Sequence, residues 1–236
     1  MSETEPGLST VAVQSIVECT HYGERIRFCV ANHGDHIQAF HAAGRFYEEA
    51  QLAAFGALCP PDRVFLDIGA NIGNHTLYMA KIRKVRKVVP FEVNPDAIAI
   101  LRINLALNDC RNVDDSYLGI GLSAREQRMS KVASYADNLG GTRFTPSETG
   151  AFLSMPGDPL VSHLAVGAIK IDVEGMETDV LEGLTTTIRR WRPALFLELE
   201  DQYFDAFQTW MQDFRYRIAT TFAPYLGKKE YTLVPL

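Results

Sequence analysis

From residue 63 onward the chain alternates short apolar runs with amphipathic segments, an order few folds accept. Val64–Ile68, Lys87–Phe91 and the runs 168–173 and 194–199 read as strands. The segments 72–84, Pro95–Leu107, 176–191 and 202–213 read as helices, the third carrying Val180, Leu181, Leu184 and Ile188 on one face. Strands this short and uniformly apolar need cover on both sides. The alternation therefore predicts a doubly wound, mostly parallel α/β sheet. Segments 215–221 and 231–235 close it with no helix between them, which predicts one antiparallel strand. Segment 117–122 is a further strand candidate, and 123–165 is an irregular insert beside the site.

The first 62 residues follow another pattern. Residues 1–10 read as a tail, and 15–30 as a hairpin around Tyr22-Gly23-Glu24, with Ile26, Phe28 and Val30 alternating. Residues 32–36 read as a loop and 45–58 as a helix, stopped by Cys59-Pro-Pro-Asp62. With 236 residues in all, the chain divides into an extension over 1–62 and one sheet domain over 63–236. The extension either covers the site, with Tyr47 and Glu48 facing inward, or serves as an oligomer surface.

In doubly wound folds ligands sit beyond the strands' C-terminal ends. The first strand ends in Asp67-Ile-Gly-Ala-Asn-Ile-Gly-Asn-His-Thr76. Gly69 and Gly73 permit a tight turn and close backbone approach, but the spacing matches neither G-x-G-x-x-G nor a P-loop. An acid beside the glycines suits a cofactor with a cationic end better than a pyrophosphate. The second strand ends in Phe91-Glu-Val-Asn-Pro95, placing Glu92 where such folds grip ribose hydroxyls. Asn94 also reads as a helix N-cap ahead of Pro95. The later strand runs Ala168-Ile-Lys-Ile-Asp-Val-Glu-Gly175 and puts Lys170, Asp172 and Glu174 on one side. Charges in so apolar a strand are costly unless paired or functional. They read either as a buried ion pair or as a polar cluster on the substrate side, which Glu198 and Glu200 would extend.

LDIGANIGNHT, FEVNP and IKIDVEGMETDVLEG, in this order, resemble the FkbM-type family of S-adenosylmethionine-dependent methyltransferases over roughly residues 46–200. The resemblance implies a class I methyltransferase fold, a seven-stranded sheet with its last strand antiparallel. It implies a cofactor cleft formed by Asp67, Gly69, Ala70, Asn71, Gly73, Asn74 and Asn94, with Glu92 at the ribose. It also implies methylation of a hydroxyl on a small-molecule acceptor of sugar, glycan-linked or polyketide type. The chain departs from the family at Asp158-Pro-Leu-Val-Ser-His163, where a T-L-D-like segment is usual. An aliphatic hydroxyl gains from a positioned base. Asp172 is the first candidate and Glu174 the second, with Lys170 holding Asp172 and with His75 and His163 as weaker options.

Charge bears on the partners. Lys and Arg number 23 against 29 Asp and Glu, a net charge of −6, without the basic excess that nucleic-acid binding favours. The basic run from Lys81 to Lys87 reads as a solvated helix end. A nitrogen acceptor is disfavoured because Asp172-Val-Glu-Gly stands where an Asn/Asp-Pro-Pro-aromatic segment would grip one. A Mg²⁺ site on Asp172 with Glu198 or Glu200 is the metal alternative, although no metal is expected. A protein that binds the cofactor without turnover is the other alternative. Cys19, Cys29, Cys59 and Cys110 form no metal or redox motif. No apolar run reaches the length of a membrane span, and the expected location is cytoplasmic.

Overall fold

The computed structural model describes residues 11–135 and 137–236, with backbone only at 224 and 225. The tail expected over 1–10 lies outside the described residues. Strands β1 (Ser15–His21) and β2 (Glu24–Val30) pair as the predicted hairpin. Tyr22 and Gly23 make its two-residue turn with φ of 51° and 81°. The loop at 32–36 is shorter than expected, because Asp35 accepts the Gln38 N–H and starts helix α1 (His36–Ala42). Helix α2 (Glu49–Gly56) starts later than predicted, since Glu48 takes a left-handed φ of 54°.

The sheet domain supplies β3 (Val64–Ile68), α3 (Asn74–Lys81), β4 (Lys87–Phe91) and α4 (Pro95–Leu107). The insert is ordered: β5 (Ile120–Leu122), β6 (Gln127–Tyr135), β7 (Asn138–Pro146) and β8 (Phe152–Met155) form a four-stranded sheet of order β5-β8-β6-β7. Sequence reading missed β6 and β7 because half-exposed residues give them no apolar period. After α5 (Asp158–Val161) come β9 (Val166–Ile171), α6 (Glu177–Gly183), α7 (Thr185–Trp191), β10 (Ala194–Glu200), α8 (Phe204–Phe214), β11 (Tyr216–Tyr225) and β12 (Lys228–Pro235). The single helix expected over 176–191 is two, broken where Leu184 leaves helical geometry at φ −113° and ψ 16°.

The main sheet has six strands, in the order β11-β12-β10-β9-β3-β4, rather than seven. β4, β3, β9 and β10 run parallel, and β12 runs antiparallel to both its neighbours. The strand expected beyond β4 shrinks to one parallel bridge, Val88 to Val113. The Leu118 N–H closes a turn onto Asp115 O, and the chain rejoins β4 only where Gly119 N–H reaches Glu92 O. Segment 117–122 then pairs through β5 with β8 instead.

One face of the sheet, with Leu66, Ile169 and Leu197, packs on Val180, Leu184 and Phe207. The other, with Phe65, Ala168 and Phe196, packs on Ile26, Phe28, Phe46 and Phe55. Each such Val, Leu, Ile or Phe side chain stabilises the fold by roughly 1.5–3 kcal/mol. The extension and the sheet thus share one core. Towards the C-terminal ends of the strands this second face turns polar, at Asp67, Lys170, Glu198 and Glu230.

Candidate active site

The polar end of the sheet forms one wall of a cavity of about 570 Å³, within the ~300–1,000 Å³ usual for small-molecule sites. The extension contributes Tyr47 and Glu48, and β7 contributes Leu139 to Phe144. Of the predicted residues, Gly69, Ala70, Asn71, Asn74, Glu92 and Asn94 line it, as do Lys170, Asp172 and Glu174. Asp67 and Gly73 do not.

Asp67 stands behind the wall, fully buried, where Thr76 Oγ1 donates a 2.6 Å hydrogen bond to its Oδ2. Burial pushes its carboxyl up, against the pull of Lys170. Lys170 Nζ lies 3.9 Å from Asp67 and 3.2 Å from Asp172, and donates a 2.6 Å hydrogen bond to Gly69 O. Burial opposes its charge, yet Asp172 and Asp67 hold its pKa above the ordinary lysine value. The buried ion pairing foreseen as one alternative is present, and Lys170, Asp172 and Glu174 also line the cavity. At Gly69, with φ of 76°, a Cβ would meet Asp172 O at 1.7 Å, so the loop lies directly against the end of β9.

Glu92 is heavily committed. Its Oε1 accepts the N–H groups of Val93 and Asn94, and Oε2 that of Asn71. One acceptor position remains, on Oε2, so a vicinal diol would not find two equivalent oxygens. Asn71 Oδ1 is buried without a partner beside it. Asn74 ties the loop to the extension: it bonds both N–H and C=O of Tyr47, and His41 Nε2 lies 3.1 Å from its Oδ1. Asn94 caps α4 and donates to Thr142 Oγ1. Both asparagines line the cavity with their amides largely spent on structure.

Among the acids, Asp172 is the accessible one, at 40% side-chain exposure against 15% for Glu174 and 14% for Glu198. Glu174 takes a left-handed φ of 55°, a cost of roughly 1–3 kcal/mol, and pairs with Lys228 at 2.7 Å and Arg143 at 3.7 Å. Lys228 also donates to Glu198 at 2.6 Å. Oxygens of Asp172, Glu174 and Glu198 lie within 4.8 Å of one another, the place where the metal alternative pointed. Lys228 already supplies a cation there. Glu200 pairs instead with Arg143 at 2.8 Å, away from the cavity lining. His75 lines the cavity, kept neutral by burial and by Lys170. His163 is exposed and does not line it.

Sequence reading missed Lys228, Glu230, Thr142 and Arg143. The alternation Lys228, Glu230, Thr232 on one side of β12 was the available signal. The four cysteines are free. No helix among the described residues is long and apolar enough to cross a membrane.

A profile described as the Methyltransferase FkbM domain matches residues 67–218, from the glycine loop into β11. The chain belongs to the FkbM methyltransferase family. Among relatives, it is 30% identical over 190 residues to AMB antimetabolite synthetase AmbE of Pseudomonas aeruginosa, covering 62% of this chain and 9% of that protein. It is 26% identical over 151 residues to Methyltransferase 1 of Beauveria bassiana, covering 53% of this chain and 59% of that one. It is 30% identical over 139 residues to Methyltransferase sdnD of Sordaria araneosa, covering 57% and 50% respectively. This FkbM chain thus spans less than two thirds of each of these relatives. Among solved structures, it resembles a Streptococcus mutans protein in complex with SAH at TM-score 0.50 and 12% identity, covering 80% of this chain and 97% of that one. It also resembles an rRNA methylase from Streptococcus thermophilus at TM-score 0.50 and 15% identity, covering 79% and 95%. At such identity the likeness concerns the fold.

Proposed function

We propose that the chain is an S-adenosylmethionine-dependent O-methyltransferase acting on a hydroxyl of a small-molecule acceptor, of sugar, glycan-linked or polyketide type. The observation that carries this reading is Asp172, more open than Glu174 or Glu198 on a lysine-organised wall beside the glycine loop. Bound there, the cofactor supplies an already activated methyl group. The residues present fit it: Glu92 Oε2 keeps an acceptor position, Asn71 Oδ1 lacks a partner, and the acid-rich wall suits a sulfonium.

Asp172 accepts the acceptor's hydroxyl proton, a role worth ~10²–10⁴ in rate. Lys170 fixes the Asp172 carboxylate at 3.2 Å and holds the Gly69 carbonyl, so base and loop keep a set separation. β7, from the insert, lines the same cavity. Glu174 is the second candidate base, but its two cationic partners compete for its lone pairs.

Incubation with methyl-labelled cofactor and a panel of hydroxylated small molecules tests the reading. Label is expected on oxygen. Label found only on nitrogen, or cofactor binding with no transfer to any acceptor, would overturn it.

A further inference from the structure

One pair in the cavity wall is left unused by methyl transfer. Glu230 stands directly opposite Glu198 across the β10–β12 ladder, an arrangement that like charges disfavour. Glu198 is compensated by Lys228. Glu230 and Glu48 form no ion pair with a cationic side chain among the described residues. Glu230 is 2% exposed, lines the cavity, and its Oε2 accepts no hydrogen bond. Glu48, which comes from the extension and lines the same wall, acts on it more strongly than the other acids do. Two carboxyls from separate elements thus meet at a buried site that lacks a cation.

Position indicates what the cation belongs to. From Gly69, at the end of β3, the sheet crosses β9 and β10 before reaching Glu230 on β12. Three steps of ~4.8 Å put Glu230 about 14 Å from the glycine loop, while Glu48 follows Tyr47, which Asn74 ties to that loop. Glu92 lies a further strand away on the other side.

We propose that Glu48 and Glu230, backed by Glu198, form a subsite for a protonated amine on the β12 side of the cavity. Acceptors carrying an ammonium group are then preferred over their neutral counterparts. This deepens the methyl-transfer reading and rests on it. Burial raises both carboxyls; Glu48 raises Glu230 further, whereas the hydrogen bond between them lowers Glu48. Asp172 pushes both the same way and Glu198 adds to Glu230, while Lys170 and Tyr47 oppose the rise at Glu48. Lys228 is committed to Glu174 and Glu198, and His75 is neutral. Glu230, raised to about 8, therefore holds a proton that Glu48 accepts in a hydrogen bond. An entering ammonium replaces it, and the proton leaves to the buffer.

Calorimetric titration of the protein with n-butylamine against n-butanol, and with glucosamine against glucose, tests the subsite. Titrations run with and without S-adenosylhomocysteine, in buffers of differing ionisation heat. Each amine is expected to bind at least about tenfold tighter than its neutral counterpart, with proton release, and Glu230→Gln and Glu48→Gln should remove the preference. Equal binding of amine and alcohol by the native protein overturns the subsite, whatever the variants do. S-adenosylhomocysteine and its desamino analogue distinguish the source. Tenfold discrimination between them that disappears in Glu230→Gln would assign the ammonium to the cofactor and overturn the acceptor preference. Failure of S-adenosylhomocysteine to bind sinks the methyl-transfer reading alone, because the amine titration without it still reads the subsite.

Discussion

Lys170 Nζ donates a 2.6 Å hydrogen bond to the carbonyl oxygen of Gly69, joining the middle strand of the sheet to the loop after the first. The same ammonium is the only cation within 4 Å of buried Asp67 among the described residues. Lys170→Met leaves that carboxyl uncompensated and frees the loop. Removing one member of a buried pair costs ~3–5 kcal/mol, so a lowered denaturation midpoint is expected, with loss of S-adenosylhomocysteine affinity. Unchanged affinity in calorimetry would mean that the loop does not depend on this contact.

Asp172→Asn keeps shape but removes the proton acceptor. Turnover should fall by ~10²-fold or more, while S-adenosylhomocysteine affinity stays within a few fold. Single-turnover rates and calorimetry read the two separately. A variant that remains active moves the base elsewhere, with Glu174→Gln as the next measurement.

Glu92→Ala strands the N–H groups of Asn71, Val93 and Asn94, each costing ~1–3 kcal/mol where buried. Stability and cofactor affinity should fall together. Glu92→Gln keeps at most part of this hydrogen bonding, and should lower affinity more than it lowers the melting temperature. An affinity equal to the native value would remove Glu92 from the cofactor site.

His41 sets an acid limit. Buried and stacked on Phe28 at 4.1 Å, its imidazole is pushed down from 6.5 to about 4, mainly by desolvation. Between those values the unfolded chain takes a proton that the native one refuses. This contribution is complete above pH 6.5 and is lost as pH falls toward 4, by ~3 kcal/mol. Denaturant midpoints measured across that window should fall with pH, and His41→Phe should flatten the fall. His75 acts in the same direction, so some slope should persist.

What the sequence made legible was whatever carried a local period or a motif. β3, β4 and α4 appear with their predicted bounds, because their apolar runs end at a glycine loop, an acid and an Asn-Pro cap. The seventh strand failed because the Asp115–Leu118 turn interrupts pairing, and a turn of ordinary polar residues leaves no strong mark. Asp172 and Lys170 stood out as charges within an apolar run. Glu230 did not, since it looks like an ordinary surface acid until residues far apart in sequence meet, and the sequence places Glu48 inward only as one of two alternatives. Asp67 was read as a lining residue because sequence shows proximity to a loop, not which layer a side chain occupies.

The family-defining span, 67–218, contains the loop, Glu92 and Asp172, but neither Glu48 nor Lys228 nor Glu230. Those three enter the cavity from the two flanks. On the proposed reading, part of the recognition therefore lies outside the span that carries the chemistry, and that part can drift while the span holds. Two proteins that share the span need not share an acceptor, and grafting the flanks between them is the direct way to exchange one.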